Sequence, residues 1–404
     1  MEIYLDNAAT TRVFPEAVQC MIQLMQKEYG NPSSMHHKGM VAEMALREAA
    51  QTFARILKVD EKELIFTSGG SESNNMALIG AAMANKRAGR HIITTRIEHA
   101  SVYQPMSYLE EQGFEVTYLP VDSYGRVRPE ALQSAIRPDT ILISIMCVNN
   151  EIGTVQPLED IVRLIRERNP SVIIHSDAIQ AFGKVPLYPK RLGLDMLSAS
   201  GHKFHGPKGT GLLWIRDGVK VHPLILGGGQ QNGRRSGTEN VPGYAGMAEA
   251  ARLTFETLEE DADRMYELRD SFIRRLSQID GVKIHGGTGK GKLTYSAEGG
   301  EDCCAAPHII SAGFADVRAE VLLHALEEKG IYVSSGSACS SNHPQVSGTL
   351  RAIGAEKKYL DATVRFSLSS ETTKEELDTC ADALEELLPM LRRFVPGGRG
   401  RRKK

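Results

Sequence analysis

Lys203 is the residue of this 404-residue chain whose surroundings most favour covalent chemistry. It lies in SASGHKFHGPKGTG, residues 198–211, directly after Ser200, Gly201 and His202, and three glycines follow it. An ordinary lysine is solvated, but a lysine held among small residues where a strand ends can form a Schiff base with an aldehyde cofactor. Ser200 and His202 would then flank the phosphate of that cofactor.

Two further segments could bind other parts of such a cofactor. TSGGSES, residues 67–73, joins a predicted strand to a predicted helix, and its glycines and Ser71 suit a phosphate, although a tight turn explains the same residues. In HSDAIQ, Asp177 closes an apolar strand, where a pyridinium nitrogen is a natural partner for a costly buried carboxylate. A helix cap is the alternative interpretation of Asp177. Gln180 follows within one helical turn, near enough to reach a ring hydroxyl.

Cys339 is the cysteine whose setting indicates reactivity. It lies in SSGSACSS, residues 334–341, and a small-residue loop is a poor packing position but a good one for a deliverable nucleophile. Six cysteines in the chain and no CxxC pair predict neither a disulfide scaffold nor a structural zinc site, and we expect no metal. We assign no role to the pair Cys303–Cys304. The cysteines that fall in helical or strand patterns are predicted to be buried thiols: Cys20, Cys147 and Cys380.

The elements that must position these residues alternate between short β-rich runs and helical patterns from Glu63 to Trp214. Near-continuous apolar strands separated by helices indicate an α/β fold with a mainly parallel sheet covered on both faces. Ligands of such sheets bind outside the carboxyl ends of the strands. The predicted strands cover residues 63–67, 91–96, 115–121, 140–148, 171–176, 196–200 and 211–215, with helices between most of them, for example 158–168.

A smaller α/β unit is predicted in the C-terminal part. Apolar residues every three or four positions indicate one long helix over 243–279, and a Gly-rich and polar stretch over 281–306 indicates a loop or variable hairpin. The last helix is predicted to begin with Thr372 and Glu375 in capping-box spacing. The other predicted elements are strand 308–314, helix 318–329, strand 331–334 and strand 362–369.

Composition excludes several classes of protein. A hydrophobic content of 41% and a net charge of −2 exclude disorder as the main state and give no global field toward nucleic acid or membrane. The longest aliphatic-rich run, residues 141–148, is far shorter than the roughly 20 residues of a membrane span. Asp6 lies too close to Met1 to leave room for the apolar region of a signal peptide, so we expect a cytoplasmic protein. Because the charges are balanced, we expect no direct nucleic-acid partner. The basic tail, residues 392–404, is interpreted as solvated.

Taken together and in order, these motifs resemble the class-V, fold-type-I pyridoxal-phosphate enzymes, and within them the cysteine desulfurases of the NifS/IscS kind. The resemblance runs from YLDNAATT at residues 4–11 to VRFSLS at residues 364–369. EHAS, with His99, and NNEIGT, with Asn150, belong to it. Its most specific elements are SGHKFHGPKG, RRSGTEN and SSGSACSS. It implies a large cofactor-binding domain over 15–258 and a small domain formed by 1–14 and 259–404.

The resemblance also implies a role for each candidate residue. Lys203 is the Schiff-base lysine, and His99 stacks on the pyridine ring and assists proton transfers. Asp177 holds the ring nitrogen protonated, while Gln180 and Asn150 contact the ring oxygen side. The implied phosphate ligands are Gly70, Ser71, Ser200, His202 and, from the neighbouring subunit of a homodimer, Thr238.

Arg365 is implied to bind the substrate carboxylate, with Asn150 beside it. A guanidinium suits this bidentate task. Val364, Phe366 and Leu368 share one face of the predicted strand, so Arg365 points to the other face. An ordinary exposed strand arginine is the alternative interpretation.

The implied reaction converts L-cysteine to L-alanine and leaves a persulfide on Cys339. Its sulfur would pass to an acceptor protein, an iron–sulfur scaffold or a tRNA-thiolating enzyme. A class-V aminotransferase or a related lyase, such as a selenocysteine lyase, is one alternative, and the loop cysteine argues against the aminotransferase. A catalytically idle sulfur-relay adaptor is another, and the joint presence of Lys203, Asp177, His99 and Arg365 argues against it. The sequence leaves open the identity of the acceptor and the preference between cysteine and selenocysteine.

Overall fold

The computed structural model describes residues 2–291, 303–335 and 347–394. In chain order its strands are β1 (Ile3–Tyr4), β2 (Leu64–Thr67), β3 (His91–Thr95), β4 (Glu115–Leu119), β5 (Thr140–Ser144), β6 (Ile173–Asp177), β7 (Met196–Ser200), β8 (Gly211–Ile215), β9 (Val282–His285), β10 (Gly289–Lys290), β11 (Cys304–Ala305), β12 (Ile309–Phe314), β13 (Ile331–Tyr332) and β14 (Thr363–Ser367).

The helices connect these strands and cover the sheets. In chain order they are α1 (Pro15–Gln26), α2 (His37–Leu57), α3 (Gly70–Asn75), α4 (Ala81–Asn85), α5 (Ala100–Glu111), α6 (Pro129–Ala135), α7 (Leu158–Arg168), α8 (Pro189–Leu192), α9 (Val241–Glu256), α10 (Leu258–Leu276), α11 (Ala319–Glu327), α12 (Gly348–Ala352) and α13 (Lys374–Leu391). A π-helical turn, Met76–Gly80, joins α3 to α4.

Strands β2 to β8 form one seven-stranded sheet in the order β2-β8-β7-β6-β5-β3-β4 within the described residues. The neighbouring pairs from β7 to β4 are parallel, and β8 is antiparallel to both of its neighbours. Consecutive residues of one strand point to opposite faces, so Ile93 packs into the core that holds Phe53, whereas Ile92 packs into the core that holds Met106. The prediction of an α/β fold with a mainly parallel, doubly covered sheet is therefore confirmed.

The C-terminal unit has its own sheet and core. Strands β14, β12 and β9 pair antiparallel, and α10, α11 and α13 contribute to the core beside them. Strand β1 pairs with β13, so Ile3 and Leu5 pack in this core, whereas Ala8 packs in the core of the large sheet. The first residues of the chain thus join the two units. The predicted domain boundaries at 14/15 and 258/259 stay a prediction.

Two sequence predictions about this unit are wrong. The helix predicted over 243–279 is two helices, because Thr257 leaves helical geometry and its hydroxyl donates to Asp261 at 2.7 Å. The capping box of α13 uses Thr373 and Glu376 in place of Thr372 and Glu375. The Thr372 hydroxyl already accepts the backbone N–H of Ser369, so the neighbouring threonine caps the helix.

The described part of the stretch predicted as a loop or hairpin contains three short strands, of which β9 joins the C-terminal sheet and the other two form a separate two-stranded sheet. Strand β9 pairs with β12, and the short β10 pairs in parallel with β11. Cys147, Cys303 and Cys380 are buried, and Cys20, predicted to be buried, is half-buried. Among the helices of the described residues, none is long and apolar enough to cross a membrane.

Candidate active site

A cavity of about 250 Å³ lies beyond the carboxyl ends of β5, β6 and β7. Parallel strands end at the same edge of a sheet, so the loops that follow them meet there. Every predicted site residue that the structure describes lines this cavity, except Thr238. The full lining is Ala8, Ala9, Gly70, Ser71, His99, Ser101, Met146, Val148, Asn150, Asp177, Ile179, Gln180, Ser200, His202, Lys203 and Arg365.

Lys203 ends a short 3₁₀ turn that begins directly after β7. The turn requires a glycine at its start, because a Cβ on Gly201 would lie 2.3 Å from the Thr210 hydroxyl oxygen. The Lys203 Nζ donates to the carbonyls of Ala8, at 2.7 Å, and Ala9, at 2.8 Å. The lysine amine is therefore held at the cavity wall by the N-terminal segment, whose carbonyls the sequence analysis did not identify.

Asp177 is the last residue of β6 and is 4% exposed. Its Oδ2 accepts from the Asn74 amide at 2.7 Å, and its Oδ1 accepts from the backbone N–H of Ile179 at 2.9 Å. Burial raises the pKa of this carboxyl, and these two hydrogen bonds oppose the rise. The bond to Ile179 is of the capping kind, but a turn and no helix follows, so the helix-cap interpretation holds only in part and the role of Asp177 toward a ring nitrogen stays a prediction.

His99 precedes α5 and caps it with its own ring. Nδ1 accepts the backbone N–H of Ser101 at 3.1 Å and lies 2.8 Å from the Ser101 hydroxyl. A backbone N–H can only donate, so Nδ1 carries no proton, and in the neutral ring the proton is on Nε2. The Asn74 amide, which binds Asp177, also donates to the Ser101 hydroxyl at 2.9 Å, and it thereby connects the histidine with the aspartate.

The buried carboxyl of Glu98, next to His99, was missed by the sequence analysis. Its Oε1 accepts from the backbone N–H of Met146 at 3.0 Å and from the Thr95 hydroxyl at 2.8 Å. Burial raises its pKa to about 8. Glu98 thus anchors the turn before His99 to the segment that follows β5. An acidic residue in a turn carries no sequence signal of burial, because burial depends on what packs over it.

The predicted phosphate ligands come together from two strand ends. Gly70 begins α3, and a Cβ there would lie 2.2 Å from the terminal side-chain carbon of Ile179, which would have to move. Ser71 follows it, and Ser200 and His202 approach from the end of β7. Burial, with help from Lys203, lowers the pKa of His202 to about 4, so the imidazole is neutral at physiological pH.

Arg365 reaches the cavity from β14 and is 4% exposed. Its Nη1 donates to the Asn150 carbonyl and its Nη2 to Asp6, each at 2.8 Å. Val364, Phe366 and Leu368 pack in the C-terminal core on the opposite face, as their alternation with Arg365 predicts. The interpretation of Arg365 as an ordinary exposed arginine is therefore wrong.

One predicted site residue that the structure describes does not line the cavity. Thr238 is exposed on the surface of the chain. Its segment is fixed near the phosphate ligands, because Arg235 pairs with Glu72 of α3 at 2.8 Å. Cys339 lies outside the described residues. In the described part of the chain, His, Cys, Asp and Glu form no group of three or more that could hold a metal ion.

The polar and charged groups that line the cavity indicate which small molecule it could bind. Two buried polar atoms of its lining, Ser200 Oγ and Arg365 Nε, have no hydrogen-bond partner among the described residues, and both suit anionic groups. A lysine amine and a buried carboxylate complete the set on Lys203 and Asp177. An aldehyde, a ring nitrogen and a phosphate match these groups. The fold and the site therefore define the class of pyridoxal-phosphate enzymes.

The chain belongs to the class-V aminotransferase family, whose family model matches residues 3–380. Enzymes of this family use pyridoxal phosphate, in agreement with the donor set. The chain is 43% identical over 396 residues to the cysteine desulfurase IscS of Dictyoglomus turgidum, covering 98% of this chain and 96% of that protein. It is 43% identical over 394 residues to the cysteine desulfurase IscS of Methanosarcina thermophila, covering 98% and 94%. The solved structure of a NifS-like protein superposes with a TM-score of 0.89 at 39% identity, covering 97% of this chain and 100% of that one.

Proposed function

We propose that the protein is a cysteine desulfurase, which converts L-cysteine to L-alanine and carries the released sulfur as a persulfide on Cys339. The observation that supports this proposal most is that the described residues on either side of the segment containing Cys339 are hydrogen-bonded at or next to residues that line the cavity. The Ser334 backbone N–H donates to the carbonyl of Arg365, and the Arg365 N–H donates back. Ser347 donates to the carboxylate of Glu151, which follows Asn150. Ser334 and Ser347, which flank the segment containing Cys339 in the sequence, thus contact one candidate substrate-binding residue, Arg365, and the residue after the other, Asn150.

The other cysteines support this choice of nucleophile. In the described part of the chain no cysteine lines the cavity. Burial raises the pKa of the Cys20, Cys147 and Cys380 thiols, and it raises that of Cys303 to about 12. A thiol with a raised pKa supplies little thiolate, the form that attacks sulfur.

The cavity residues would hold and orient the reactants. Pyridoxal phosphate, when bound, supplies an electron sink for negative charge at the substrate Cα. Lys203 would hold the aldehyde carbon and, once released by the substrate amine, would take the proton from Cα. Asp177 would keep the ring nitrogen protonated. The positive charge of that nitrogen would in turn oppose the rise that burial causes in the pKa of the Asp177 carboxyl. His99 would present its Nε2–H to the reactants.

In the proposed sulfur transfer, L-cysteine and the Cys339 thiol would react to give L-alanine and the Cys339 persulfide. The thiolate of Cys339 would form a bond to the substrate sulfur as the sulfur–Cβ bond breaks. The electron pair of the broken bond would stay on Cβ, which takes a proton to become the methyl group of alanine. Arg365 would hold the substrate carboxylate and so fix the side from which sulfur leaves.

A sulfur acceptor and a second subunit belong to the same proposal. The persulfide would be passed to an iron–sulfur scaffold or a tRNA-thiolating enzyme in the cytoplasm, and the five cysteines of the described residues are free thiols, as a reducing compartment favours. A homodimer would cover a group of exposed large apolar side chains. These are Met25, Tyr29, Met35, Met40 and Met44.

The purified protein loaded with pyridoxal phosphate tests the proposal. With L-cysteine and a thiol reductant it should release alanine and sulfide in equal amounts. The keto acid of cysteine, 3-mercaptopyruvate, in place of alanine and sulfide would favour the aminotransferase alternative. Absence of any reaction with cysteine would contradict the proposal.

A further inference from the structure

His308 is a buried histidine that does not line the cavity but contacts a residue that does. It lies just before β12, is 1% exposed, and places Nε2 3.2 Å from Oε1 of Gln180. The Gln180 amide nitrogen donates to the carbonyl of Ala8 at 2.9 Å. The same carbonyl accepts from the Lys203 amine at 2.7 Å. One chain of hydrogen bonds therefore runs from His308 through Gln180 and Ala8 to Lys203.

The orientation of the Gln180 amide follows from its neighbours. The Ala8 carbonyl can only accept, so the amide nitrogen must face it and Oε1 must face His308. Oε1 in turn can only accept, so His308 Nε2 must carry a proton. The Ala8 oxygen has two lone pairs, and Gln180 and Lys203 occupy both. The second N–H of the Gln180 amide remains for a group in the cavity, which Gln180 lines.

The surroundings of His308 favour the neutral ring. Its Nδ1 is buried without a hydrogen-bond partner among the described residues. Burying an unprotonated nitrogen without a partner costs less free energy than burying an N–H without one, so Nδ1 is expected to carry no proton. Burial places the pKa of His308 well below its ordinary value, and Lys184, Arg365 and Lys203 lower it further. The proton on Nε2 is thus fixed over the whole physiological pH range.

We propose that His308 is a positioning residue, which donates Nε2–H to Gln180 and thereby turns an N–H of the Gln180 amide toward the ring oxygen of pyridoxal phosphate. The inference rests on the proposed function, because it assumes that this cofactor occupies the cavity. An N–H donated to the ring oxygen stabilises negative charge there. That oxygen then holds less firmly the proton it shares with the Lys203 nitrogen, so the pKa of that nitrogen falls. His308 would set this value without touching the cofactor.

Two substitutions separate the hydrogen bond from the bulk of the ring. His308→Gln places an amide N–H near the position of Nε2, whereas His308→Asn places one near Nδ1 and leaves Gln180 without a donor. The readout is the pH midpoint of the visible absorption of the bound cofactor, measured without substrate. In the asparagine variant the midpoint should rise by about one pH unit, the effect of losing one hydrogen bond to a charged oxygen. The glutamine variant should restore the parent midpoint.

The outcomes are separable from the failure of the proposed function. A parent protein without reducible cofactor absorption would contradict the proposed function before any variant is compared. Equal midpoints in the parent and in a cofactor-loaded asparagine variant would overturn the role of His308. Gln180→Leu removes the amide itself and should raise the midpoint equally, and adding His308→Asn to it should cause no further rise. A further rise in the double variant would show that His308 acts by another route.

A measurement on the parent protein covers the case in which the asparagine variant does not fold. In the protein labelled with ¹⁵N-histidine, the His308 ring should show a protonated Nε2 and a bare Nδ1 from about pH 5 to about pH 9. Titration of this ring, or a proton on Nδ1, would overturn the inference.

Discussion

Arg365 Nη2 donates to a carboxylate oxygen of Asp6 across 2.8 Å, although 359 positions separate the two residues in the sequence. The Asn150 carbonyl holds the other terminal nitrogen of the guanidinium. Asp6 begins the segment whose Ala8 and Ala9 carbonyls hold Lys203. The proposed substrate-binding group and the proposed covalent lysine are thus fixed by the same N-terminal residues. A guanidinium held on two sides loses little further freedom when it binds a carboxylate.

Arg365→Ala should retain the visible absorption of the cofactor but bind cysteine more weakly. Loss of one charge-assisted contact should cost about 1.5–3 kcal/mol, which is about 10- to 150-fold in affinity. Titration of the absorption change with cysteine measures this affinity. Asp6→Asn keeps the guanidinium and a hydrogen-bond acceptor, so it should have a much smaller effect. An unchanged affinity in the alanine variant would exclude Arg365 as the carboxylate-binding residue.

Lys203→Ala should lose the visible absorption that borohydride bleaches in the parent protein. Digestion of the reduced parent should place the pyridoxyl label on the peptide that contains Lys203. Lys184 provides the matched control, because burial lowers its pKa to about 8 although it does not line the cavity. Lys184→Met should keep the reducible absorption, and a label on Lys184 would show that the wrong lysine is assigned.

Cys339→Ser should bind the cofactor and still change its absorption on addition of cysteine, yet release no sulfide. A neutral hydroxyl is a poor nucleophile toward sulfur, so the reaction should stop before sulfur transfer. After brief exposure of the parent to cysteine, mass spectrometry should find one added sulfur atom on the peptide with Cys339. Cys304→Ser, a change at a half-buried cysteine outside the cavity, should keep full sulfide release. Sulfur on Cys303 or Cys304 would overturn the assignment.

Glu98→Gln should make the stability of the protein less dependent on pH. Burial raises the pKa of Glu98 to about 8 in the folded protein, against about 4.3 in an unfolded chain. The folded state therefore binds more protons between these values, and Glu98 lowers the free energy of unfolding as pH rises from about 4.3 towards about 8. The loss is at most about 1.4 kcal/mol for each pH unit. Urea unfolding of the cofactor-loaded parent and variant at matched protein concentration measures it, and parallel pH profiles would contradict the prediction.

Light scattering at micromolar concentration should give about twice the chain mass of 44.3 kDa. Thr238 is exposed in the single chain, so Thr238→Ala should weaken cofactor binding only where a partner subunit completes the site. Equilibrium dialysis of pyridoxal phosphate at concentrations that populate dimer and monomer measures this difference. A monomer with full activity would contradict the shared site.

The sequence predicted the local features of the large sheet well. Strands β7 and β8 and helix α7 have the bounds that their residue patterns indicate, since each is a continuous apolar or amphipathic run between turn residues. Thr257 shows where such patterns fail, because the apolar stripe continues across it while the helix ends. A side-chain hydrogen bond to Asp261 accompanies that break, and periodicity does not report it.

The sequence by itself determined which residues could carry chemistry. Each of Lys203, Asp177 and Arg365 lies in a local pattern of strand ends, glycines or alternating apolar residues. Such patterns involve only residues that are close in the sequence, so they can be recognised without the structure. The tertiary structure decided what holds them: Asp6 against Arg365, Ala8 against Lys203, and His308 against Gln180. These partners lie between 128 and 359 positions apart. Contacts of this kind arise only when distant parts of the chain fold against one another, and no local period or spacing encodes them.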